Sequence, residues 1–294
     1  MTDEAPAGAY HEDAARFREA LGRTAAVTGF SERLVEKDYF CSVLLQDLAV
    51  LFGQGLVFKG GTCLGKVYVE FFRLSEDLDF GVPVSPDATR GQRRRAVEFV
   101  KVHLGGVVAR LPFLEEAAPF LGHNDSRQYN GTFTYRSLVT GDREAIKVEV
   151  SLREELLLPA EERAAKTLLV DPFTNVPVLA PVVVRALALQ EAYAEKARAA
   201  LTRREPAIRD FFDIDCAVRR GLLRHRHADF LSLVARKIAL AEDPVDTTAG
   251  RMEELARQVQ TELKPVLRAA DYDEFSLPRV VGLLLEIVAG CGGK

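Results

Sequence analysis

The sequence of 294 residues has few cysteines and no long apolar stretch. Its four cysteines, Cys41, Cys63, Cys216 and Cys291, are scattered without a CxxC pair, which argues against a zinc site or a disulfide framework and predicts reduced thiols. The N-terminal residues are acidic and polar, so no secretory signal is expected. The nearest approach to a membrane span, residues 280–289, is too short and contains a glutamate. We therefore expect a cytoplasmic protein with no membrane partner.

Several sequence motifs of well-known enzyme classes are also missing. Neither G-x-x-x-x-G-K-[ST] nor G-x-G-x-x-G occurs, which excludes a P-loop NTPase and the glycine loop of Rossmann domains and kinases. The sequence has no hydrolase nucleophile elbow, and its five histidines form no HExxH motif. The net charge of −4 argues against a protein that coats nucleic acid through overall basicity.

One segment of the chain is basic although the net charge of the whole chain is negative. Residues 196–226 contain nine Lys or Arg and four Asp or Glu. A solvated helix face is the simpler interpretation of such a run, which gains interest only beside a site that handles phosphate.

The front half of the chain has the pattern of an α/β fold. Short apolar runs at 56–58 and 78–82 predict buried strands, and alternation over 129–139 and 145–152 predicts a β-hairpin. Residues 166–170 are a candidate for a further strand.

Helical spacing of apolar residues covers much of the rest. Ser31 is the predicted N-cap of the helix that ends before Gly53 and Gly55. The other predicted helices are 11–28, 62–72, 86–110, 181–201, 207–220, 226–242, 248–269 and 275–289. We predict a flexible tail over 1–10, an α/β (α+β) domain over 11–165 and a mostly helical domain over 166–294.

Two aspartates lie two positions apart where the chain enters the second predicted strand. Because side chains at i and i+2 of a strand point to the same face, Asp77 and Asp79 project together. A cation relieves their mutual repulsion, and carboxylate oxygens suit Mg²⁺ that also binds substrate phosphates. Glu149, in the later hairpin, is the candidate third carboxylate of a two-metal site; ordinary placement on the strand surface is the alternative.

A glycine turn precedes the aspartates. Gly60 and Gly61 allow backbone N–H groups to approach an anion, the Thr62 hydroxyl adds a donor, and Lys66 adds a charge one helical turn later. Taken alone, Gly-Gly-Thr is most often a turn and Asp-x-Asp most often a solvated strand edge. Their order and closeness instead indicate phosphoryl or nucleotidyl transfer.

The segments Val-Phe-Lys-Gly-Gly-Thr-Cys-Leu-Gly-Lys at 57–66 and Arg-Leu-Ser-Glu-Asp-Leu-Asp-Phe at 73–80 carry a family resemblance. Together with Val-Glu-Lys-Asp-Tyr at 35–39, Glu-Ala-Tyr-Ala-Glu-Lys at 191–196 and Arg-Asp-Phe-Phe-Asp at 209–213, they resemble the motifs of the AbiEii/AbiGii nucleotidyltransferase toxins, which include the MenT-type toxins. The resemblance extends from about residue 31 to residue 216.

This resemblance implies a DNA polymerase β-like nucleotidyltransferase fold, with a mixed sheet, flanking helices and a helical C-terminal domain. It also implies a toxin of a type IV-style toxin–antitoxin or phage-exclusion system, with a cognate antitoxin as partner. In the MenT branch, nucleotides pass from an NTP to the 3′ end of tRNA, which blocks translation. We accordingly expect an NTP substrate, a tRNA acceptor and two Mg²⁺ ions.

The resemblance also implies roles for individual residues. Asp77 and Asp79 would hold Mg²⁺, while Lys196 and Asp210 would complete the catalytic site from the helical domain. The candidates for nucleotide binding are Lys59, Gly60, Gly61, Thr62, Lys66 and Ser75. One departure concerns spacing: Thr62 precedes Asp77 by fifteen residues, whereas Gly-Ser in this superfamily usually stands about ten residues before its Asp-x-Asp pair.

Simpler interpretations stay open for several of these residues. Arg209 could pair with Asp213 on an exposed helix, and Lys196 could be an ordinary solvated lysine. Ser75 and Arg73 could merely close the turn into the strand.

Three functions are compatible with the sequence: nucleotidyl transfer to RNA, nucleotidyl transfer to a protein or small-molecule hydroxyl, and a non-catalytic nucleotide-binding regulatory module. For RNA, basic side chains could follow the backbone of an acceptor stem without reading its sequence. The residues proposed for this contact are Arg198, Arg203, Arg204 and Arg209.

Overall fold

The computed structural model describes residues 10–152, 155–241, 243–246 and 248–292. The chain divides into two compact units, one ending at Leu187 and the other beginning at Ala188. The division lies later than the predicted boundary at 165/166, because the last strand of the sheet follows that point. Most of the tail predicted over 1–10 lies outside the described residues. Within the described part of the chain, no helix has the length and apolar character that crossing a bilayer requires.

The first unit contains a mixed sheet. Its described strands are β1 (Val57–Lys59), β2 (Leu78–Gly81), β3 (Glu115–His123), β4 (Gln128–Arg136), β5 (Arg143–Ser151), β6 (Glu161–Ala165) and β7 (Val182–Ala186). They form one seven-stranded sheet in the order β3-β4-β5-β2-β1-β7-β6. Strand β1 is antiparallel to β2 and parallel to β7, while β2 is parallel to β5. The predicted fold class, an α/β mixed sheet with flanking helices, is confirmed.

The strand predictions succeed where burial alternates along the chain. The predicted hairpin is confirmed by β4 and β5, which pair from Gln128 with Ser151 to Arg136 with Arg143. Strand β3 was not predicted, because it lies at the sheet edge and its side chains are mostly exposed, so its sequence lacks the alternation. The strand predicted at 166–170 is wrong. Strand β6 ends at Ala165, just before these residues, and Val170 forms only an isolated bridge.

The start of one predicted helix is also wrong. Residues Val182–Ala186 form β7, not the first turn of a helix over 181–201. Their apolar, β-branched sequence suits a strand covered by neighbours on both sides, and β7 lies between β1 and β6. The helix itself begins later, at Leu189.

Helices flank the sheet of the first unit. They are α1 (Ala14–Thr28), α2 (Glu32–Leu48), α3 (Gly60–Cys63), α4 (Arg90–Ala96), α5 (Glu98–Leu104) and α6 (Val107–Arg110). Ser31 caps α2 by accepting a hydrogen bond from the Leu34 N–H, as predicted. A 3₁₀ segment, Ala49–Gln54, follows α2 and closes at Gly55, whose φ is +106°.

Helix α2 connects several elements through buried charged groups. Glu36 is fully buried and accepts hydrogen bonds from the Ser137 hydroxyl and, at 2.6 Å, from the Leu138 N–H. Burial raises the pKa of Glu36 although these hydrogen bonds oppose that effect. Lys37, equally enclosed, donates to the Ala145 carbonyl at the start of β5. These bonds fix β5, and with it Glu149, relative to α2.

The second unit is helical in its described residues. Its helices are α7 (Leu189–Thr202), α8 (Ile208–Arg219), α9 (Ala228–Ala239), α10 (Ala249–Gln258), α11 (Ala269–Glu274) and α12 (Leu277–Cys291). The predicted helix over 248–269 is interrupted, since α10 continues as a π-helical turn, Val259–Leu263, and a 3₁₀ turn. Arg251 closes the end of α7 by donating to the carbonyls of Ala200 at 2.7 Å and Arg203 at 2.6 Å.

Candidate active site

Charged side chains form a row across the central strands of the first unit. Asp79 on β2 lies opposite Lys59 on β1 and opposite Glu149 on β5. Neighbouring strands are about 4.8 Å apart, so these three side chains start from adjacent positions. Leu78 and Phe80, on either side of Asp79, are buried on the other face of β2. Asp79 therefore lies on the face of β2 opposite to Leu78 and Phe80, while Asp77, half-buried like it, precedes the strand, so the common face of the pair stays a prediction.

The glycine turn packs directly against Asp79. Gly60 has a φ of +76°, a conformation that favours glycine, and a methyl group built on it would lie 2.8 Å from the Asp79 Cβ and closer still to a carboxylate oxygen. The turn joins β1 to α3 without a connecting loop. The Asp79 carboxylate therefore packs against the Gly60 backbone with no room for a side chain between them.

The second glycine meets a different pair of side chains. A methyl group on Gly61 would touch the Arg73 guanidinium and lie 3.0 Å from the Ser75 Oγ. Arg73 is buried, and its Nη1 donates to the Leu74 carbonyl at 3.3 Å. The turn from Arg73 to Ser75 is thus held against the glycine turn, which brings the predicted residue Ser75 to the same place as Gly61.

Thr62 connects the glycine turn to the aspartates. Its hydroxyl is buried and donates to the backbone carbonyl of Asp77. This hydrogen bond fixes the entry into β2, which determines where the Asp77 side chain begins. The predicted contact of Thr62 with a phosphate stays a prediction, and it would use the backbone N–H of Thr62 more readily than a hydroxyl already engaged.

Lys66 has buried partners of its own. Its ammonium lies 2.5 Å from Asp38 Oδ1 and 2.7 Å from Ser42 Oγ, and both charged side chains are almost fully buried. The helix predicted to reach residue 72 changes here into a π-helical turn, Leu64–Tyr68, and ends before Glu70 and Phe71, both with positive φ. The predicted role of Lys66 at the phosphates stays a prediction that would require this pair to open.

Replacing Lys66 with methionine is expected to lower the free energy of unfolding of the first unit by about 3 kcal/mol, because Asp38 is left charged and unpaired in the interior. Urea denaturation measures this change. Lys166→Met is the matched control, since Lys166 is exposed and only 3.5 Å from the exposed Glu70 carboxylate, a pair that contributes at most about 1 kcal/mol. Unchanged stability with weakened nucleotide binding would instead place Lys66 at the phosphates.

The third predicted carboxylate is engaged by a lysine. Lys147 Nζ lies 2.9 Å from Glu149 Oε2. Burial opposes the charge of Lys147, but the hydrogen bond to Glu149 and the negative charges of Glu149, Asp77 and Asp79 outweigh it, so the pKa of Lys147 is raised. Across the described residues, no three His, Cys, Asp or Glu side chains are grouped so that they could hold a metal ion. Glu149 as a third ligand therefore stays a prediction.

The donor set nevertheless fits a magnesium ion of the kind that polymerising enzymes use. Mg²⁺ is commonly held by one or two carboxylates, with phosphates and water supplying the remaining oxygens. Asp77 and Asp79 provide two such carboxylates, and the absence of a side chain at Gly60 gives the Asp79 carboxylate the room it occupies. A three-carboxylate cage is not needed for this coordination.

The second unit holds its own cluster of predicted residues. Lys196 on α7 lies 2.7 Å from Asp210 Oδ1 and 3.0 Å from Asp213 Oδ2, both on α8. Arg203 lies 3.1 Å from the other oxygen of Asp210. The Lys196 side chain is only 14% exposed, so the interpretation as an ordinary solvated lysine is wrong. Asp213 is buried and pairs with Lys196, so its interactions are not those of a simple surface pair with Arg209.

The basic residues of the second unit differ in exposure. Arg203 and Arg204 are exposed, with side chains 56% and 86% accessible. Arg198 and Arg209 are half-buried. Two further arginines of the basic segment are neutralised by ion pairs: Arg219 pairs with Asp215 and Glu274, and Arg220 pairs with Asp271. Of the four residues predicted to contact RNA, Arg203 and Arg204 have the side chains most exposed to solvent.

The family profile described as "Nucleotidyl transferase AbiEii toxin, Type IV TA system" matches residues 43–279. The match includes the glycine turn, both aspartates, Glu149 and the Lys196 cluster. This chain belongs to the AbiEii family. It is therefore a nucleotidyltransferase, and the predicted family is confirmed. Membership in a toxin family of type IV systems also implies an NTP substrate and an antitoxin partner.

One solved structure shares the fold of this chain, and a second is named beside it for comparison only. A crystal structure of a "putative nucleotidyltransferase" from H. pylori is 16% identical, with a TM-score of 0.51, and covers 89% of this chain and 96% of that chain. The structure of JHP933 from Helicobacter pylori is also 16% identical, with a TM-score of 0.49, and covers 89% of this chain and 93% of that chain. The comparison with curated proteins finds no match.

Two residues of this AbiEii site were not assigned a role from the sequence. Arg73 was interpreted only as part of a turn, although its guanidinium lies against Gly61. Lys147 received no role, although its ammonium is paired with Glu149 and lies near the charges of Asp77 and Asp79. The alternation of β5 could have identified Lys147, because i and i+2 positions share a face. No feature of the neighbouring sequence indicates where the Arg73 side chain lies, because its position depends on how the turn from Arg73 to Ser75 packs against Gly61.

Proposed function

We propose that this chain transfers nucleotides from an NTP to RNA, with the 3′ end of tRNA as the acceptor, in a Mg²⁺-dependent reaction in the cytoplasm. The observation that supports it is the packing of Gly60 on Asp79, in a row that also contains Lys59 and Glu149. A backbone that meets a metal-binding carboxylate so closely lets the phosphates of a nucleotide reach the cation without an intervening side chain.

Each group in the first unit has a defined task in this proposal. Asp77 and Asp79 would hold the ion, which when bound neutralises phosphate charge and polarises the attacking hydroxyl. The N–H groups of the glycine turn would bind phosphate oxygens, as backbone amides do in many phosphate sites. Lys59, opposite Asp79, would face the same phosphates and offset their charge. Ser75, beside Gly61, would add a hydroxyl donor.

RNA is favoured as the acceptor by the exposed arginines of the second unit together with the family. Arg203 and Arg204 follow α7 and offer guanidinium groups to solvent. Guanidinium groups bind phosphate through paired N–H donors and position a backbone without reading its bases. A cognate antitoxin would restrain this activity in the cell.

A labelling assay tests the proposal. The purified protein is incubated with Mg²⁺, each labelled NTP in turn, and total tRNA, and the products are separated by size. Label that migrates with tRNA, and that disappears with EDTA, is the expected result. Label on protein or on a small molecule would show that the acceptor is one of these and not RNA. Bound NTP without any transfer would make the chain a non-catalytic module and refute the proposal.

Replacing Lys196 with alanine is expected to lower kcat/KM for the NTP on the order of 100-fold, which corresponds to about 2.7 kcal/mol, because a charged donor to phosphate is lost. Steady-state transfer at varied NTP concentration measures it. Lys237→Ala is the matched control: Lys237 is a buried lysine of the same unit, 2.8 Å from Glu191 and 3.2 Å from Glu195 on α7. Equal losses in both variants would assign Lys196 a purely structural role.

A further inference from the structure

Lys147 lies among groups of opposite charge on β5. Its ammonium is 2.9 Å from Glu149 Oε2, two residues along the same face of the strand. The strand register sets Asp79 opposite Glu149, and the negative charges of Asp77 and Asp79 act on Lys147 together with that of Glu149. A fixed cation thus already faces the three carboxylates predicted to bind metal.

The pair could be an ordinary surface ion pair, since the side chains of Lys147 and Glu149 are 43% and 27% exposed. Pairs of this kind contribute little to stability. Its position argues for more than stability. The ammonium is bonded to the carboxylate predicted as the third metal ligand, and an oxygen that an ammonium already engages is a weaker ligand for a divalent cation.

We propose that Lys147 holds Glu149 in the metal-free protein and competes with the divalent cation for that carboxylate. The inference rests on the proposed function, in which Asp77 and Asp79 hold the ion, and on the predicted role of Glu149 as its third ligand. Lys147 thereby limits metal affinity until an NTP arrives. The triphosphate offers Lys147 another anionic partner, and Glu149 is then released toward the cation, so that metal and nucleotide bind cooperatively.

Binding of Mn²⁺ alone, followed by electron paramagnetic resonance without nucleotide, tests this competition. Lys147→Met is expected to tighten Mn²⁺ binding about fivefold, the upper end of what a half-exposed ion pair contributes. Glu149→Gln is expected to remove that gain, so that Lys147→Met has no effect in the Glu149→Gln background. Lys166→Met, which removes an exposed lysine paired with Glu70, should leave Mn²⁺ affinity unchanged.

The outcomes separate the possible failures. A gain that persists undiminished in the Glu149→Gln background would show a general effect of charge and overturn the competition. Wild-type binding that Asp79→Ala abolishes but Lys147→Met leaves unchanged would overturn this inference alone. Absence of any Mn²⁺ binding that depends on Asp79 would refute the metal site of the proposed function. A second measurement, tightening of Mn²⁺ by a non-hydrolysable NTP analogue, should be weaker in Lys147→Met than in the wild type.

Discussion

Replacing Asp79 with alanine is expected to reduce nucleotidyl transfer by about 1,000-fold or more, equal to about 4 kcal/mol of transition-state stabilisation. Asp79 is the carboxylate on which the glycine turn packs, so its loss would remove a proposed metal ligand beside the turn that is proposed to bind the nucleotide phosphates. Transfer of label to tRNA measures the effect. If the chain is toxic when expressed, growth arrest should disappear in the same variant.

The fold should survive this substitution. Asp79 lies on the half-buried face of β2, and removing one of several neighbouring negative charges relieves repulsion in the metal-free protein. Circular dichroism and urea denaturation should therefore match the wild type. Asp87→Ala, an exposed aspartate of the same unit, is the control and should transfer at the wild-type rate. An Asp79→Ala variant that remains active would refute the catalytic assignment of the carboxylate pair.

The sequence predicted the centre of this site well because its parts are close along the chain. The two-residue period of a strand places Asp79 on the charged face of β2, with Asp77 just before the strand, and that period is independent of the rest of the fold. The hairpin of β4 and β5 was equally predictable, since its turn and alternation are local. Local patterns therefore predicted all three strands that carry charged site residues, β1, β2 and β5.

Elements that depend on distant partners were predicted less well. The run Val182–Ala186 has no local feature that distinguishes a buried strand from a buried helical turn. Only its pairing with β1 shows that it is a strand. The partners of Lys66 show the same limit. Asp38 lies twenty-eight residues earlier on α2, so the sequence offered a lysine near a phosphate turn but no sign that its charge is already neutralised.

Alanine at Gly60 is expected to reduce transfer on the order of 100-fold, because the added methyl group must displace the Asp79 carboxylate or the turn itself. The φ of +76° adds a conformational cost of about 1–2 kcal/mol to folding, since a residue with a Cβ is strained there. Activity and stability thus both decline, and the two effects need to be separated before the loss of transfer is assigned to the carboxylate.

Gly141→Ala separates them, because Gly141 has the same φ of +76° but no atom within 4 Å of the position of an added methyl group. It lies in the turn between β4 and β5, away from the glycine turn along the sequence. The control should lose a similar amount of stability in urea denaturation and keep its transfer rate. If Gly141→Ala lost as much activity as Gly60→Ala, backbone strain would explain both. If only Gly60→Ala lost activity, the close contact of Gly60 with Asp79 is what the reaction requires.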